Sequence, residues 1–221
     1  MKRLNSRQFI RLARSSLLPL IVLCLVLSAT AEQAEIVFPV AQLHEWEQKS
    51  FQGETVYTVE KFDGKAVLKA ESNGTASGYY RRISLKASEH PLINWSWKIG
   101  RTIAAEDAYR KSGDDFAARV YVVFPGRFFW QYRALIYVWS DKLPPGTIVQ
   151  SPYSERIAVI AVESGNRFAG EWRHESRNYR NDYRAYFHRE PDDPIAVAFM
   201  TDCDNTGSHA VAWYGDISFN R

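Results

Sequence analysis

Two dipeptides do most to limit the fold. Asp63-Gly64 and Asn73-Gly74 separate three stretches, Thr55–Lys61, Lys65–Glu71 and Thr75–Leu85. Both favour the positive backbone angles of two-residue hairpin turns, so the sequence predicts a meander of three consecutive strands. The same grammar continues to the C-terminus. In Leu92–Ile99, Trp95, Trp97 and Ile99 share one face while Asn94, Ser96 and Lys98 share the other. Arg133–Ser140, Ile157–Glu163 and Glu171–Arg177 read as further strands, and Ile195–Asp202 and Ala210–Phe219 as a closing pair. Leu143–Pro152 holds three prolines and reads as loop. Tyr179, Tyr183 and Tyr186-Phe187 recur at helical spacing and predict a short amphipathic helix. Many short strands broken by Gly, Pro and Asp turns predict an all-β fold, a single β-sandwich of jelly-roll type with one or two short helices.

The N-terminus reads as a leader. Lys2, Arg3, Arg7, Arg11 and Arg14 precede an apolar run, Leu17–Leu27, and Ala29-Thr30-Ala31 supplies the small residues of a cleavage site. Residues 1–31 are therefore expected to be a signal peptide and residues 32–221 one β-sandwich domain. The run falls short of the ~20 residues that span a bilayer, so no stable membrane anchor is expected after cleavage and the mature protein is expected to be periplasmic or secreted. The full chain carries 28 Lys plus Arg against 25 Asp plus Glu. Cleavage removes five basic residues and no acid, leaving 23 against 25, a net charge of −2. The basic excess lies in the leader, so nucleic acid is not an expected partner. Of the two cysteines only Cys203 stays, which excludes an internal disulfide.

Gly113–Phe124, G-D-D-F-A-A-R-V-Y-V-V-F, sets the functional question. Phe116, Ala118, Val120, Val122 and Phe124 alternate on one side and should face a core. Ala117, Arg119, Tyr121 and Val123 lie on the other, with Asp114 and Asp115 at the entrance. A charge in an apolar strand needs a partner or a wet cleft. One reading is a polar groove in which Asp114, Asp115, Arg119 and Tyr121, with Tyr137 and Trp139 of the next strand, bind a ligand; rings stack on pyranose faces and charged groups take hydroxyls or carboxylates. The other reading is a buried ion pair that serves architecture alone.

Thr201–Gly207, T-D-C-D-N-T-G, opens like a calcium loop: oxygen-bearing side chains alternate and a glycine follows. Trp213 stands where the closing Glu would be, so Asp202 and Asp204 would need Asp216 from the next strand as a third ligand. An Asx turn bonding local amides is the alternative. The sequence has no G-x-S-x-G elbow, zinc-protease motif or phosphate loop. Paired acids for glycoside hydrolysis could be drawn from Asp114, Asp115, Glu163, Asp202 and Asp204, at separations the sequence does not give.

These two stretches, with Phe51-Gln52-Gly53-Glu54-Thr55, Ala76-Ser77-Gly78-Tyr79, Trp95-Ser96-Trp97 and Tyr214-Gly215-Asp216-Ile217, resemble a bacterial family of exported β-sandwich proteins of unknown function. Members more often carry Thr or a similar residue at the position of Cys203, which argues against a thiol nucleophile. More loosely, the chain is similar to galactose-binding-type carbohydrate-binding modules. The resemblance implies an exported β-sandwich and brings no established activity. The expected function is non-catalytic binding of a glycan or another polar envelope component, with calcium as a candidate cofactor. The alternatives are a polysaccharide lyase or hydrolase using Arg119 and the aspartates, and a structural partner in an envelope complex.

Overall fold

The computed structural model describes residues 35–126, 128 and 131–221; the leader read over residues 1–31 lies outside the described residues. The fold is nearly all β. Its strands are β1 (Ile36–Phe38), β2 (Glu47–Gln52), β3 (Val56–Phe62), β4 (Lys65–Asn73), β5 (Ala76–Arg82), β6 (Leu92–Ile99), β7 (Ala118–Phe124), β8 (Arg133–Ser140), β9 (Ile148–Ser151), β10 (Ser154–Ser164), β11 (Arg173–Asn178), β12 (Ala196–Asp202), β13 (His209–Tyr214) and β14 (Ile217–Asn220). The helix α1 spans Tyr179–Phe187, and single turns of tighter helix form at Val40–Glu45 and Lys111–Gly113.

The strands form two seven-stranded sheets packed as a β-sandwich of the jelly-roll class. The first runs β1-β14-β6-β13-β4-β3, with β11 on the other edge of β6; the second runs β2-β5-β12-β7-β8-β10-β9. Pairing is antiparallel except between β8 and β10, where Ile157 opposes Ala134 and Ile160 opposes Tyr137.

Alternation decides what fills the space between the sheets. Trp95, Trp97 and Ile99 of β6 face inward, as do Val120, Val122 and Phe124 of β7, Tyr137 and Trp139 of β8, and Phe199 of β12. Trp95 stacks on Tyr137 with ring centroids 5.0 Å apart, and Phe199 meets Tyr214 at 4.8 Å. Each such buried ring contributes ~2 kcal/mol or more of transfer free energy. Helix α1 closes one end. Asn178 caps it by accepting from the Asn181 amide at 3.0 Å, and Tyr179 and Tyr183 are fully buried against Phe124.

The topology departs from the expected meander. Of the three expected strands, β3 and β4 form a hairpin, but at Asn73-Gly74 the chain crosses to the other sheet, where β5 lies between β2 and β12. The expected closing pair is likewise divided, β12 in the second sheet and β13–β14 in the first. Cys203 secures both crossings. Its buried Sγ lies 2.9 Å from the Ser72 hydroxyl, accepts from the Gly74 amide at 3.2 Å and donates to the Ser208 carbonyl at 2.9 Å. A turn dipeptide sets the local backbone angles; which sheet receives the next strand depends on such long-range bonds. The proline-rich stretch holds the short edge strand β9.

The second sheet is covered on its outer face too. Phe116, Ile136, Val138, Leu143, Val149 and Val159 form a separate apolar cluster there. The expected polar groove on that face is therefore partly closed by the segments around Phe116 and Leu143.

Candidate functional site

Arg119 lies on the outer face of β7. The alternation slips before it: Phe116 joins the outer cluster, Ala117 and Ala118 both join the inter-sheet core, and Arg119 points out again. Its guanidinium is 2% exposed. Nε donates to Asp202 Oδ1 at 2.6 Å, Nη2 bonds Asp202 Oδ2, and Nη1 reaches Asp114 Oδ2 at 3.4 Å. Nη2 also donates to the Asp114 carbonyl, and the Phe116 ring lies 4.6 Å away. Burial alone would lower the Arg119 pKa, but the carboxylates of Asp114 and Asp202 outweigh it and hold the group above its usual range. At Asp202 burial dominates and pushes the carboxyl up to about 7, against the pull of Arg119.

Asp115 is fully buried and accepts from the backbone amides of Asn205 and Thr206 at 3.2 and 2.6 Å. This pins the Thr201–Gly207 loop to the entrance of β7. One oxygen each of Asp115, Asp202 and Asp204 falls within 4.8 Å of the others. The expected calcium set is thus altered: Asp115 takes the third place, and Asp216 is an exposed residue whose Oδ1 accepts from the Val40 amide at 2.8 Å. Asp216 lies beyond β13 on the first sheet, so its nearness in sequence does not bring it to the loop. Much of the cluster's charge is already compensated, by Arg119 at Asp202 and by two amides at Asp115.

The six residues expected to share a ligand face do not share one. Val120 opposes Tyr137 and Ala118 opposes Trp139, whereas Arg119 opposes Val138 and Tyr121 opposes Ile136. Residues opposite one another point to the same side of a sheet, so Tyr137 and Trp139 face the inter-sheet core while Arg119 and Tyr121 face away from it. Tyr137 donates to Asp182 Oδ2 at 2.9 Å and Trp139 Nε1 to the Gly165 carbonyl at 3.0 Å. Tyr121 is half-buried, its hydroxyl 3.2 Å from Met200 Sδ. Asp114, Asp115 and Arg119 do come together, as a buried charge cluster with Asp202.

A second constellation lies on the solvent face of the first sheet. Because Trp97 and Ile99 point inward, Lys98 points out, beside its cross-strand partner Trp213. Its ammonium lies 4.3 Å from the Trp213 ring, 5.0 Å from Phe62 and 5.5 Å from Trp172. Phe62 ends β3 and Trp172 directly precedes β11, yet their ring centroids are 5.6 Å apart. Phe62 is 43% exposed, and both tryptophans are half-buried. Each cation–π contact stabilises by ~0.5–1 kcal/mol at such depth. Sequence reading missed this group. Trp213 stands on the polar side of its strand, opposite Ala212 and Tyr214, and that misplaced aromatic was the available signal; the meeting with Phe62 and Trp172 depends on pairing across the whole sheet.

The fold and these two constellations define a β-sandwich with a buried charge cluster behind one sheet and an aromatic, cation-bearing face on the other. The sequence matches, over residues 44–218, the family described as "Protein of unknown function (DUF3047)", and the chain belongs to that family. No curated protein sequence matches it. Among solved structures it is similar to a glycoside hydrolase domain, Endo-D from Streptococcus pneumoniae R6, at 10% identity and a TM-score of 0.37, covering 79% of this chain and 21% of that one. The chain thus spans about a fifth of that structure. A mutant of the carbohydrate-binding module CBM29-2 is similar at 9% identity and a TM-score of 0.36, covering 85% of each chain. The xyloglucanase domain of NopAA, a type three effector from Sinorhizobium fredii, is similar at 6% identity and a TM-score of 0.44, over 77% of this chain and 90% of that one.

Proposed function

We propose that the protein is an exported, non-catalytic glycan-binding β-sandwich, and that Phe62, Trp172 and Trp213 with Lys98 form its contact surface. The observation that carries this reading is three aromatic rings held around one ammonium on the solvent side of a sheet. Ring faces stack on the apolar faces of pyranoses, and an ammonium fixed among them can donate to hydroxyls or a carboxylate. The surface is mounted on paired strands, so it is held in place before the ligand arrives, which lowers the cost of binding.

The acids suited to glycoside cleavage are engaged elsewhere. Asp202 and Asp114 are bonded to Arg119, Asp115 accepts from the amides of Asn205 and Thr206, Glu163 accepts from Arg173 Nε at 2.6 Å, and Asp204 Oδ2 accepts from the Asn205 side-chain amide at 3.3 Å. That supports binding without chemistry. Export follows from the leader grammar of residues 1–31.

A panel of envelope and plant polysaccharides, scored both for retention of the protein and for cleavage, tests the proposal. Retention without cleavage by wild type, weakened ~10-fold by Trp213→Ala and further by Trp172→Ala, is expected if each ring supplies ~1.4 kcal/mol. Cleavage by wild type that is lost in Asp115→Asn or Asp202→Asn, with the fold retained, would replace binding by catalysis.

A further inference from the structure

At the end of the second sheet nearest α1, three arginines, Arg133, Arg156 and Arg189, gather with two acids, Asp192 and Glu155, at their margin. Arg133 opens β8 and Arg156 lies near the start of β10. The two strands run parallel with Ile157 opposite Ala134, so the two arginines, each one residue earlier, stand side by side. Like charges so placed repel. Arg189, just past α1, joins them around a cleft of about 490 Å³. An adjoining hollow of about 400 Å³ shares all three arginines and adds Gln150 and the exposed Glu155, which forms no ion pair with them.

Five arginines elsewhere in the fold are closely paired, and these are not. Arg119, Arg173, Arg177, Arg180 and Arg184 each hold a carboxylate at 3.0 Å or less. Among the described residues no carboxylate comes within 4.0 Å of Arg133 or Arg156 as an ion pair; Arg133 lies instead 5.8 Å over the Phe187 ring. Arg189 has only Asp192, at 3.4 Å, and both side chains are about half exposed. Adjacent guanidinium groups facing one cavity supply several N–H donors in fixed forks, the arrangement that grips tetrahedral oxyanions from two sides. The cleft's volume falls in the range of small-molecule sites and exceeds what a lone anion fills.

We propose that this cleft binds a phosphate-type oxyanion, with Arg133 and Arg156 as the paired fork, Arg189 as the third cation and Gln150 as a neutral donor. The anion can arrive free or as the phosphoryl group of a phosphorylated sugar. The site is separate from the aromatic face and does not depend on it.

The test is an amide-resonance titration of the full-length folded protein at low ionic strength. The probes are inorganic phosphate, a hexose 6-phosphate and the unphosphorylated hexose. Saturable shifts at Ala134, Ile157 and Phe187 are expected with both phosphates and none with the bare hexose. Tighter binding of the hexose phosphate assigns the phosphorylated sugar, and equal binding assigns the free anion. The double variant Arg133→Gln with Arg156→Gln should weaken binding by about 100-fold. Its melting temperature should stay the same or rise, since a repulsion is removed. Arg189→Gln, outside both sheets, should weaken binding about 10-fold, giving an independent reading should the double variant fail to fold. Trp213→Ala and the exposed control Arg101→Gln should leave phosphate binding unchanged. Non-saturating shifts, shifts elsewhere, or equal weakening by Arg101→Gln would overturn the proposal.

Discussion

The Asp202–Arg119 pair permits a quantitative prediction. At about pH 8.5, above the raised Asp202 pKa of about 7, Asp202→Asn keeps the size and one acceptor of the side chain but removes the charge. Arg119, 2% exposed, is then left with Asp114 at 3.4 Å as its remaining carboxylate. Removing one partner of a buried pair costs ~3–5 kcal/mol, because the other charge stays buried without full compensation. Asparagine's residual hydrogen bond places the expected loss near the lower end, ~3 kcal/mol. For a domain of this size each kcal/mol lowers Tm by ~2–4 °C, so a drop of ~6–12 °C is expected. Urea denaturation should show a lower midpoint at unchanged slope. Replacing both partners, Arg119→Met with Asp202→Leu, should recover most of the loss, as apolar replacements of buried pairs commonly do. Closed with the single variants Arg119→Met and Asp202→Leu, the double-mutant cycle should give a coupling of ~2 kcal/mol or more. If Asp202→Asn lies within ~1 kcal/mol of wild type, or the double variant is as unstable as the sum of the singles, the reasoning fails.

Two further outcomes follow from the charge layout. Glu106 is 1% exposed, accepts from the Ser140 hydroxyl, and burial raises its carboxyl from the ordinary 4.5 to about 7. Between those pH values the folded state holds a proton that the unfolded state has released, so stability should fall by ~3 kcal/mol as pH rises through the window. Glu106→Gln should reduce that slope by the glutamate's share in urea melts taken at pH 4.5 and 7.5, leaving the share of Asp202, whose carboxyl is also raised to about 7; an unchanged slope would refute the assignment. Millimolar calcium should leave Tm unchanged, because Arg119 and the amides of Asn205 and Thr206 already compensate the aspartates; a rise that Asp204→Ala abolishes would instead establish a calcium loop of Asp115, Asp202 and Asp204.

Alternation was legible within the regular strands, though not at the slip from Phe116 to Ala118, where Phe116 faces the outer cluster and not the expected core. Val120, Val122 and Phe124 face the core as their spacing requires, and Tyr179 and Tyr183 form the buried stripe of a helix. What the sequence withheld was relations between strands. Tyr137 and Arg119 each lie on a definable face, but only the opposition of Val120 to Tyr137 shows that the faces differ. Asp115 reaches the Thr201–Gly207 loop because β12 pairs with β7 in register, a contact between residues roughly 90 positions apart in the chain. Asp216, much nearer in sequence, is carried away on the other sheet. The cover over Arg119, built from segments around Phe116 and Leu143, turned an expected groove into a second small core. The same rule hid the aromatic face, whose rings come from β3, β13 and the approach to β11.

The proposed glycan-binding surface is the solvent face of the first sheet. Its most direct measurement is an NMR titration of wild-type protein with an oligosaccharide cut from whichever polysaccharide retains it. The indole N–H signals of Trp172 and Trp213 and the amide of Lys98 are expected to shift together and saturate, while signals of the Arg119–Asp202 cluster stay still. Shifts centred on Tyr121 and Met200 with the indoles unmoved, or no retention by any polysaccharide, would contradict it.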